Sequence, residues 1–494
     1  MMAATVLSKV LGLLRETMLA AHYGAGNSVA EAFSSALSVP STFFDILFSA
    51  AILGAFIPVY NSFKGKDDEA DNFACIFLNF ITLLTGLLAL LGIIFARPII
   101  NIVTPHLQDP ELAVRIVRIL FPMIIFTGMA YTLVGLMQSK GRFFLPALIS
   151  SISNAGVIIY FLFLDNIFGV NGLAVAYAAS WLIQFLTLAI PLHRSGFRFR
   201  LRLNLRDEHL KTALKMVLPI MVGSWLSPMT ILIGKHFAAP LGGVAVFNYA
   251  NQTYIMIAGI LVYSICNYVF PTLSRLADEG DDKQFISTVR TGTLTSMAII
   301  VPFMAAVTVL CGQGCAILYM RGQFTAENTA DTASLLRIIA LAMPAYGVVE
   351  IFSRVFYARK KTLFPMLASL VGVGVIFALP AIALALPGGG MQAIASGVAC
   401  GQWCAALLLL ISAGFSLRGL FDGKFILGLA KLALCGGAAF AVMFFVNRLI
   451  GADPYSSGMI KNLLVCCAVF AAGMAVYLPL AVLLKAIPMK KIKE

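Results

Sequence analysis

The sequence predicts an all-α polytopic membrane protein with fourteen transmembrane helices: two parallel-repeat six-helix lobes plus two C-terminal helices. Three observations lead there. Of the 494 residues, 60% are hydrophobic and only 12% charged, with a mean hydropathy of +0.93, whereas a soluble domain carries about a quarter charged residues. Apolar runs long enough to cross about 30 Å of hydrocarbon recur along the whole chain. Three short stretches of the first half also reappear in the second at a near-constant offset.

Taken in order, the apolar runs fall at 4–23, 33–62, 72–96, 112–138, 144–164 and 168–192. A second series covers 211–236, 242–271, 285–319, 331–357, 363–386 and 390–415, and two more at 425–450 and 458–486 follow. The opening residues lack the basic start, compact apolar core and small-residue cleavage site of a secretory signal, so the first run is expected to be a retained span.

Loop charges orient these runs. After even-numbered spans come Lys64 and Lys66, Lys140 and Arg142, the Arg194–Lys211 cluster, Arg275 and Lys283, Arg359 to Lys361, Arg418 and Lys424, and Lys485 to Lys493. After odd-numbered spans basic residues are sparse. The excess of Lys and Arg on one side places both termini in the cytoplasm. The net charge of +13 is therefore a topology signal. No soluble basic domain exists to bind nucleic acid. The nine cysteines include Cys311 with Cys315 and Cys400 with Cys404, set four apart in apolar runs without His or acid neighbours. They read as packing residues, with no metal site and no cofactor expected.

The repeat is carried by three pairs of stretches. HYGAGNSVAEAF (22–33) aligns with HFAAPLGGVAVF (236–247), IPVYNSF (57–63) with FPTLSRL (270–276), and LMQSKGRFFLPAL (136–148) with VFYARKKTLFPML (355–367). The offsets are 236 − 22 = 214, 271 − 58 = 213 and 365 − 146 = 219. Six spans per copy gives both copies the same orientation, and parallel repeats place a binding cavity at their interface. The expected division is an N-lobe at 1–192, a basic linker at 193–210, a C-lobe at 211–415 and the last two helices at 416–494. The linker, RSGFRFRLRLNLRDEHLK (194–211), alternates Arg with Phe and Leu. That pattern suits an amphipathic element on an anionic leaflet, or equally a loop that fixes topology.

Ionisable side chains inside the spans are the candidate functional residues, because at bilayer depth they need a wet cavity or a partner. The first span holds Lys9, Arg15 and Glu16. The second runs from Glu31 to Asp45, fourteen residues or about 21 Å further along, with Pro40 between. Two readings stand side by side. The charges pair internally, Arg15 with Asp45 or Lys9 with Glu16. Alternatively, the cations contact an anionic headgroup in a polar cavity that the acids help to shape. The second half is poorer: Lys235 near the outer end of the seventh span, Asn248, Asn251 and Gln252 in the eighth, and a Glu350–Arg354 surface pair in the tenth. No nucleophile elbow, zincin motif, P-loop or dinucleotide fingerprint is present, so the chain reads as a non-enzyme.

SKVLGLLRE followed by YGAG, then EAF and GAFIPVY (54–60), resembles the opening of the MurJ/MviN lipid II flippases of the multidrug/oligosaccharidyl-lipid/polysaccharide exporter superfamily. RGQFTAENT (321–329), RVFYARKKTLFP (354–365) and NYANQ (248–252) are similar to that family's second-half signatures. The resemblance implies a monomeric alternating-access carrier in the bacterial cell membrane. Its partner would be an undecaprenyl-diphosphate-linked peptidoglycan precursor, lipid II, moved from inner to outer leaflet in support of the cell wall and cell shape. It implies that Arg15 is a cavity arginine, that Lys9 replaces another, that Glu31 is an acid opening the second span, and that the last two helices form a groove for the prenyl tail. Where the family carries arginines in the second and eighth spans, this chain has Phe44, beside Asp45, and Gln252. The substrate-binding set expected is thus Lys9, Arg15, Glu16, Glu31, Asp45, Asn251 and Gln252. The alternatives are a flippase for another undecaprenyl-linked saccharide, a drug/cation antiporter of the same superfamily cycling a proton on Asp45 or Glu31, a membrane glycosyltransferase and a non-transporting scaffold. Short loops count against the glycosyltransferase.

Overall fold

The computed structural model describes residues 2–45, 50–63, 66–223 and 225–486. Among them the regular structure is helical, with nineteen α-helices and no strand. By contact the chain divides into two units, residues 1–245 and 246–494.

The first unit holds α1 (Met2–Tyr23), α2 (Ser28–Phe44), α3 (Ala50–Asn61), α4 (Asp67–Ile94), α5 (Ala96–Val103) and α6 (Pro110–Leu120). It continues with α7 (Met123–Ser139), α8 (Phe144–Phe163), α9 (Asp165–Arg194), α10 (Glu208–Gly223) and α11 (Leu226–Ala238). α1 packs along α8, α10 along α3, and α11 on α2 and α5. The YGAG stretch is what separates α1 from α2. Gly24 sits at φ 69, a left-handed conformation that ends a helix easily only when no Cβ is present. Three residues on, the Asn27 side chain accepts from Ala30 N at 2.8 Å and caps α2.

α12 (Val244–Glu279) opens the second unit. It is followed by α13 (Asp282–Tyr319), α14 (Ala326–Ala340), α15 (Met343–Ala358), α16 (Leu363–Ala385), α17 (Met391–Ser416), α18 (Gly423–Ile450) and α19 (Met459–Leu483). Among the described residues ten helices are long and apolar enough to cross a membrane, or eleven if α14 and α15, bent by 49°, form one span. The other three expected runs fall on α1, on α2 with α3, and on α10 with α11. The body of α1 carries Lys9, Arg15 and Glu16. Residues 46–49 and 224, which fall within these two pairs, lie outside the described residues.

The internal duplication is visible in the backbone. His106 and Gly322, 322 − 106 = 216 apart, both adopt left-handed φ, 58° and 57°. Three residues later Asp109 accepts from Leu112 N at 2.9 Å, and Thr325 accepts from Asn328 N at 3.2 Å, capping α6 and α14. Gly141 and Lys360, 360 − 141 = 219 apart, are left-handed again. Each is followed by a six-to-one closure of the preceding helix, Arg142 N to Met137 O at 2.8 Å and Lys361 N to Phe356 O at 2.9 Å. Both copies also break between their paired helices, α6–α7 and α14–α15. The RGQFT stretch is accordingly a turn and a cap: Gly322 turns the chain, Thr325 caps, and Phe324 is buried against Tyr249 and Tyr319.

α16 and α17 form the most extensive helix pair in the chain. Their approach depends on Gly397 and Gly401, four apart on one face of α17. A Cβ on Gly401 would stand 2.7 Å from the Gly372 carbonyl oxygen, and one on Gly397 2.7 Å from Pro380 Cγ. Without a hydrophobic drive between helices in lipid, close backbone approach through small residues is what holds such a pair. Gly401→Leu should therefore lower stability by about 1–3 kcal/mol, read as a lower unfolding temperature in detergent. Gly374→Leu, on α16 with open space beside it, should leave that temperature near wild type.

Candidate functional site

Four buried or half-buried charges gather in the first unit: Arg15 and Glu16 on α1, Glu31 on α2 and Lys235 on α11. Lys235 is 1% exposed and Glu31 2%. Neighbours on a helix point about 100° apart, so the Arg15 guanidinium must fold back along α1 to meet Glu16, and its Nη2 donates to Glu16 Oε1. The same guanidinium lies 5.4 Å from the centre of the Tyr177 ring on α9, a cation–π contact. Its Nε is buried without a hydrogen-bond acceptor, and Tyr177 Oη is likewise unpartnered. Arg15 is thus held on one side and open on the other, with 21% of its side chain exposed. Tyr177 also packs against Phe33 of α2 at 5.7 Å, so α1, α2 and α9 meet at this ring.

Glu31 and Lys235 are fully engaged. Glu31 accepts two backbone hydrogen bonds, from Val244 N at 2.8 Å and Ala245 N at 2.9 Å, and so caps the start of α12. A carboxylate there satisfies two orphan N–H groups and meets the positive end of the helix dipole. Lys235 donates to Ser34 O at 2.6 Å and to Ser34 Oγ at 3.1 Å. Its charge interacts with both Glu31 and Glu16. The group therefore holds two cations and two anions.

The remaining expected residues lie elsewhere. Lys9 is exposed, six residues or about 9 Å along α1 from Arg15. Asp45 closes the far end of α2 and is solvent-accessible; Arg15 pairs with Glu16 rather than with Asp45, and Glu16 is held by Arg15 rather than by Lys9. Asn251 and Gln252 belong to the second unit. There Asn251 is 3% exposed with its Oδ1 unpartnered, and Gln252 is half-buried. Glu350 and Arg354 pair on α15 at 2.5 Å, as their spacing predicted. Sequence reading missed Lys235, Tyr177 and Ser34 as members of the charged group. Only a lysine inside an apolar run hinted at the first of them. No group of three metal-ligating side chains stands together among the described residues.

The second unit contributes an apolar cavity of about 310 Å³. It is lined by Ile257 of α12, Phe303, Leu310 and Gly314 of α13, Leu336 of α14 and Phe470 of α19.

Two solved structures share this fold. A lipid II flippase MurJ in an inward closed conformation matches with a TM-score of 0.80 at 23% identity, covering 98% of each chain. An inward-facing multidrug resistance MATE family transporter of the MOP superfamily matches with a TM-score of 0.71 at 17% identity, covering 83% of this chain and 95% of that one. The fold is thus one shared with multi-span membrane proteins, built of the long apolar helices described above. The family model described as lipid II flippase MurJ matches residues 19–465, and the chain belongs to that family. Similar relatives include two proteins named probable lipid II flippase MurJ. That of Bdellovibrio bacteriovorus is 27% identical over 387 residues, 76% of this chain and 74% of its own. That of Rhizobium meliloti is 26% identical over 497 residues, 97% of this chain and 91% of its own.

If Lys235 balances Glu31 and Glu16, removing it strands buried negative charge. Lys235→Met should destabilise the protein by about 3–5 kcal/mol, measured by unfolding in detergent. Adding Glu31→Gln should recover part of that loss. A single variant as stable as wild type would show that the charges do not depend on one another.

Proposed function

We propose that this chain is a flippase that carries lipid II from the inner to the outer leaflet of a bacterial cell membrane by alternating access, with both termini cytoplasmic. One observation carries the reading. Arg15 is a half-buried guanidinium on α1, held by one carboxylate and one aromatic face, with a buried N–H still to be satisfied. A diphosphate oxygen is the acceptor that such a planar donor fits. Glu16 holds the guanidinium in place until the substrate arrives. Lys9, exposed one and a half turns away, serves as the second cation. Glu31 and Lys235 give the site its structure, Asp45 lines the approach, and Asn251 with Gln252 are the polar donors of the second unit. The apolar cavity between α13 and α19 suits a stretch of the prenyl tail. The repeat-based division into 1–192, 193–210, 211–415 and 416–494 is supported by the paired left-handed residues and caps.

A second reading is favoured by the balance of the charged group and by Gln252 standing where the resemblance places an arginine: the cargo is another undecaprenyl-linked saccharide. The two readings part in one experiment. Wild-type protein should restore growth to a bacterium depleted of its lipid II flippase, and failure to do so at normal membrane levels would favour the second. Arg15→Ala combined with Glu16→Gln removes both charges without stranding either. It should stay in the membrane and lower rescue by at least about 100-fold in plating efficiency, the scale of one lost charged bidentate contact. Gly314→Trp, which fills the apolar cavity from a glycine with open space beside it, should reduce transport while the unfolding temperature stays near wild type.

A further inference from the structure

The segment joining α9 to α10 carries no helix, and its side chains divide sharply. Phe197 is buried, with Lys140 Nζ 5.4 Å above its ring. Leu201 is 99% exposed, and Leu203, Leu205 and Phe199 are exposed too. Between them stand Arg198, Arg200 and Arg206, all exposed, with no acidic partner among the described residues. Along the chain the arginines alternate with Phe199, Leu201, Leu203 and Leu205, and the backbone turns at Leu201, where Arg202 N donates to Arg200 O at 2.9 Å, so exposed cationic and apolar side chains stand next to one another on this strap.

The strap is also tied down. Asn79 Nδ2 of α4 donates to Arg200 O at 2.8 Å and to Arg202 O at 3.0 Å. Cys75 Sγ donates to Arg198 O at 3.5 Å, and Arg202 Nη1 reaches Asn72 Oδ1 at 2.8 Å. These contacts set its depth. The unbroken apolar part of α4 begins at Phe73 and ends at Ile94, about 33 Å at 1.5 Å per residue, which matches the hydrocarbon thickness. Cys75 and Asn79 then lie about 3 and 9 Å inside the boundary. Interfacial elements insert their apolar side about 5–10 Å. Irregular backbone is tolerated at that depth only when its polar groups are satisfied, and Asn79 and Cys75 satisfy three of its carbonyls.

We propose that residues 197–206 form a docking surface for acidic phospholipid headgroups, with Arg198, Arg200 and Arg206 on the phosphates and Leu201, Leu203 and Leu205 among the acyl chains. Two features choose this occupant. Unpaired arginines complement phosphate charge, and leucines beside them complement the chains that only a lipid supplies. The leaflet follows from the orientation proposed above, which puts the strap on the cytoplasmic side. There, anionic lipid attracts each basic residue by about 1 kcal/mol.

The test uses the purified full chain in neutral detergent, titrated with phosphatidylglycerol or phosphatidylcholine. Bound lipid is counted by native mass spectrometry, and hydrogen exchange is followed over 197–206. Phosphatidylglycerol should bind and slow exchange across the strap, while phosphatidylcholine and inorganic phosphate should not. The variant Arg198→Gln/Arg200→Gln/Arg206→Gln should bind phosphatidylglycerol on the order of 100-fold more weakly. The equal charge loss of Lys283→Gln/Arg418→Gln/Lys424→Gln should leave binding unchanged. Leu201→Gln/Leu203→Gln, which keeps every topology-setting charge, should weaken binding by about tenfold. Equal protection by both lipids, protection by phosphate alone, or a triple arginine variant that binds like wild type would overturn the proposal. Trypsin cutting the strap from outside intact spheroplasts would overturn the leaflet alone, leaving the detergent result to stand or fall by itself.

Discussion

A charge buried in an apolar interior must find a partner, and the first unit is organised around that demand. Arg15, Glu16, Glu31 and Lys235 stand where bare charges would each be several kcal/mol unfavourable. Each is met differently: Arg15 by a neighbouring carboxylate and an aromatic face, Lys235 by two oxygens of Ser34, Glu31 by two backbone N–H groups. The partners come from α1, α2, α9 and α11 and from Val244 and Ala245, the last residues of the first unit. The same demand governs backbone groups, and it explains why the strap between α9 and α10 needs Asn79 and Cys75 beneath it.

Three of the stretches that carry the family resemblance are turn and cap chemistry. YGAG ends α1 with a left-handed glycine, RGQFT turns on Gly322 and caps α14 with Thr325, and the FYARKK stretch closes α15 around a left-handed Lys360. Their counterparts in the first half, at His106, Asp109 and Gly141, do the same work. These motifs therefore report architecture faithfully and say little about cargo. The charged side chains inside the helices, Arg15 among them, lie outside these stretches or are placed by packing rather than by turn chemistry.

The four charges of the first unit differ in how completely they are satisfied. Glu31 and Lys235 are spent on structure, each with its hydrogen-bonding capacity turned into the protein. Arg15 is the cation left with an unsatisfied N–H and a partly accessible side chain, beside a tyrosine whose hydroxyl is also unpaired.

Local information was enough for the helical class, the placing of the apolar runs, the repeat and the i,i+4 pair of Glu350 and Arg354. Each depends on residues close together in sequence or on periodicity. Among the described residues ten or eleven helices meet the length and apolarity of a span; of the other three expected runs, two include residues outside the described ones and the third, α1, carries Lys9, Arg15 and Glu16. Partner choice in the site was not legible. Arg15 and Asp45 looked like a pair by charge and depth, yet Asp45 closes α2 at its far end and Glu16 takes its place. Lys235 meets Ser34 across 201 residues of chain and Glu31 meets Val244 across 213. Hydropathy and spacing determine where a helix runs. Which charges touch is decided only when helices far apart in sequence pack, since a buried charge takes whichever partner that packing brings within about 3 Å.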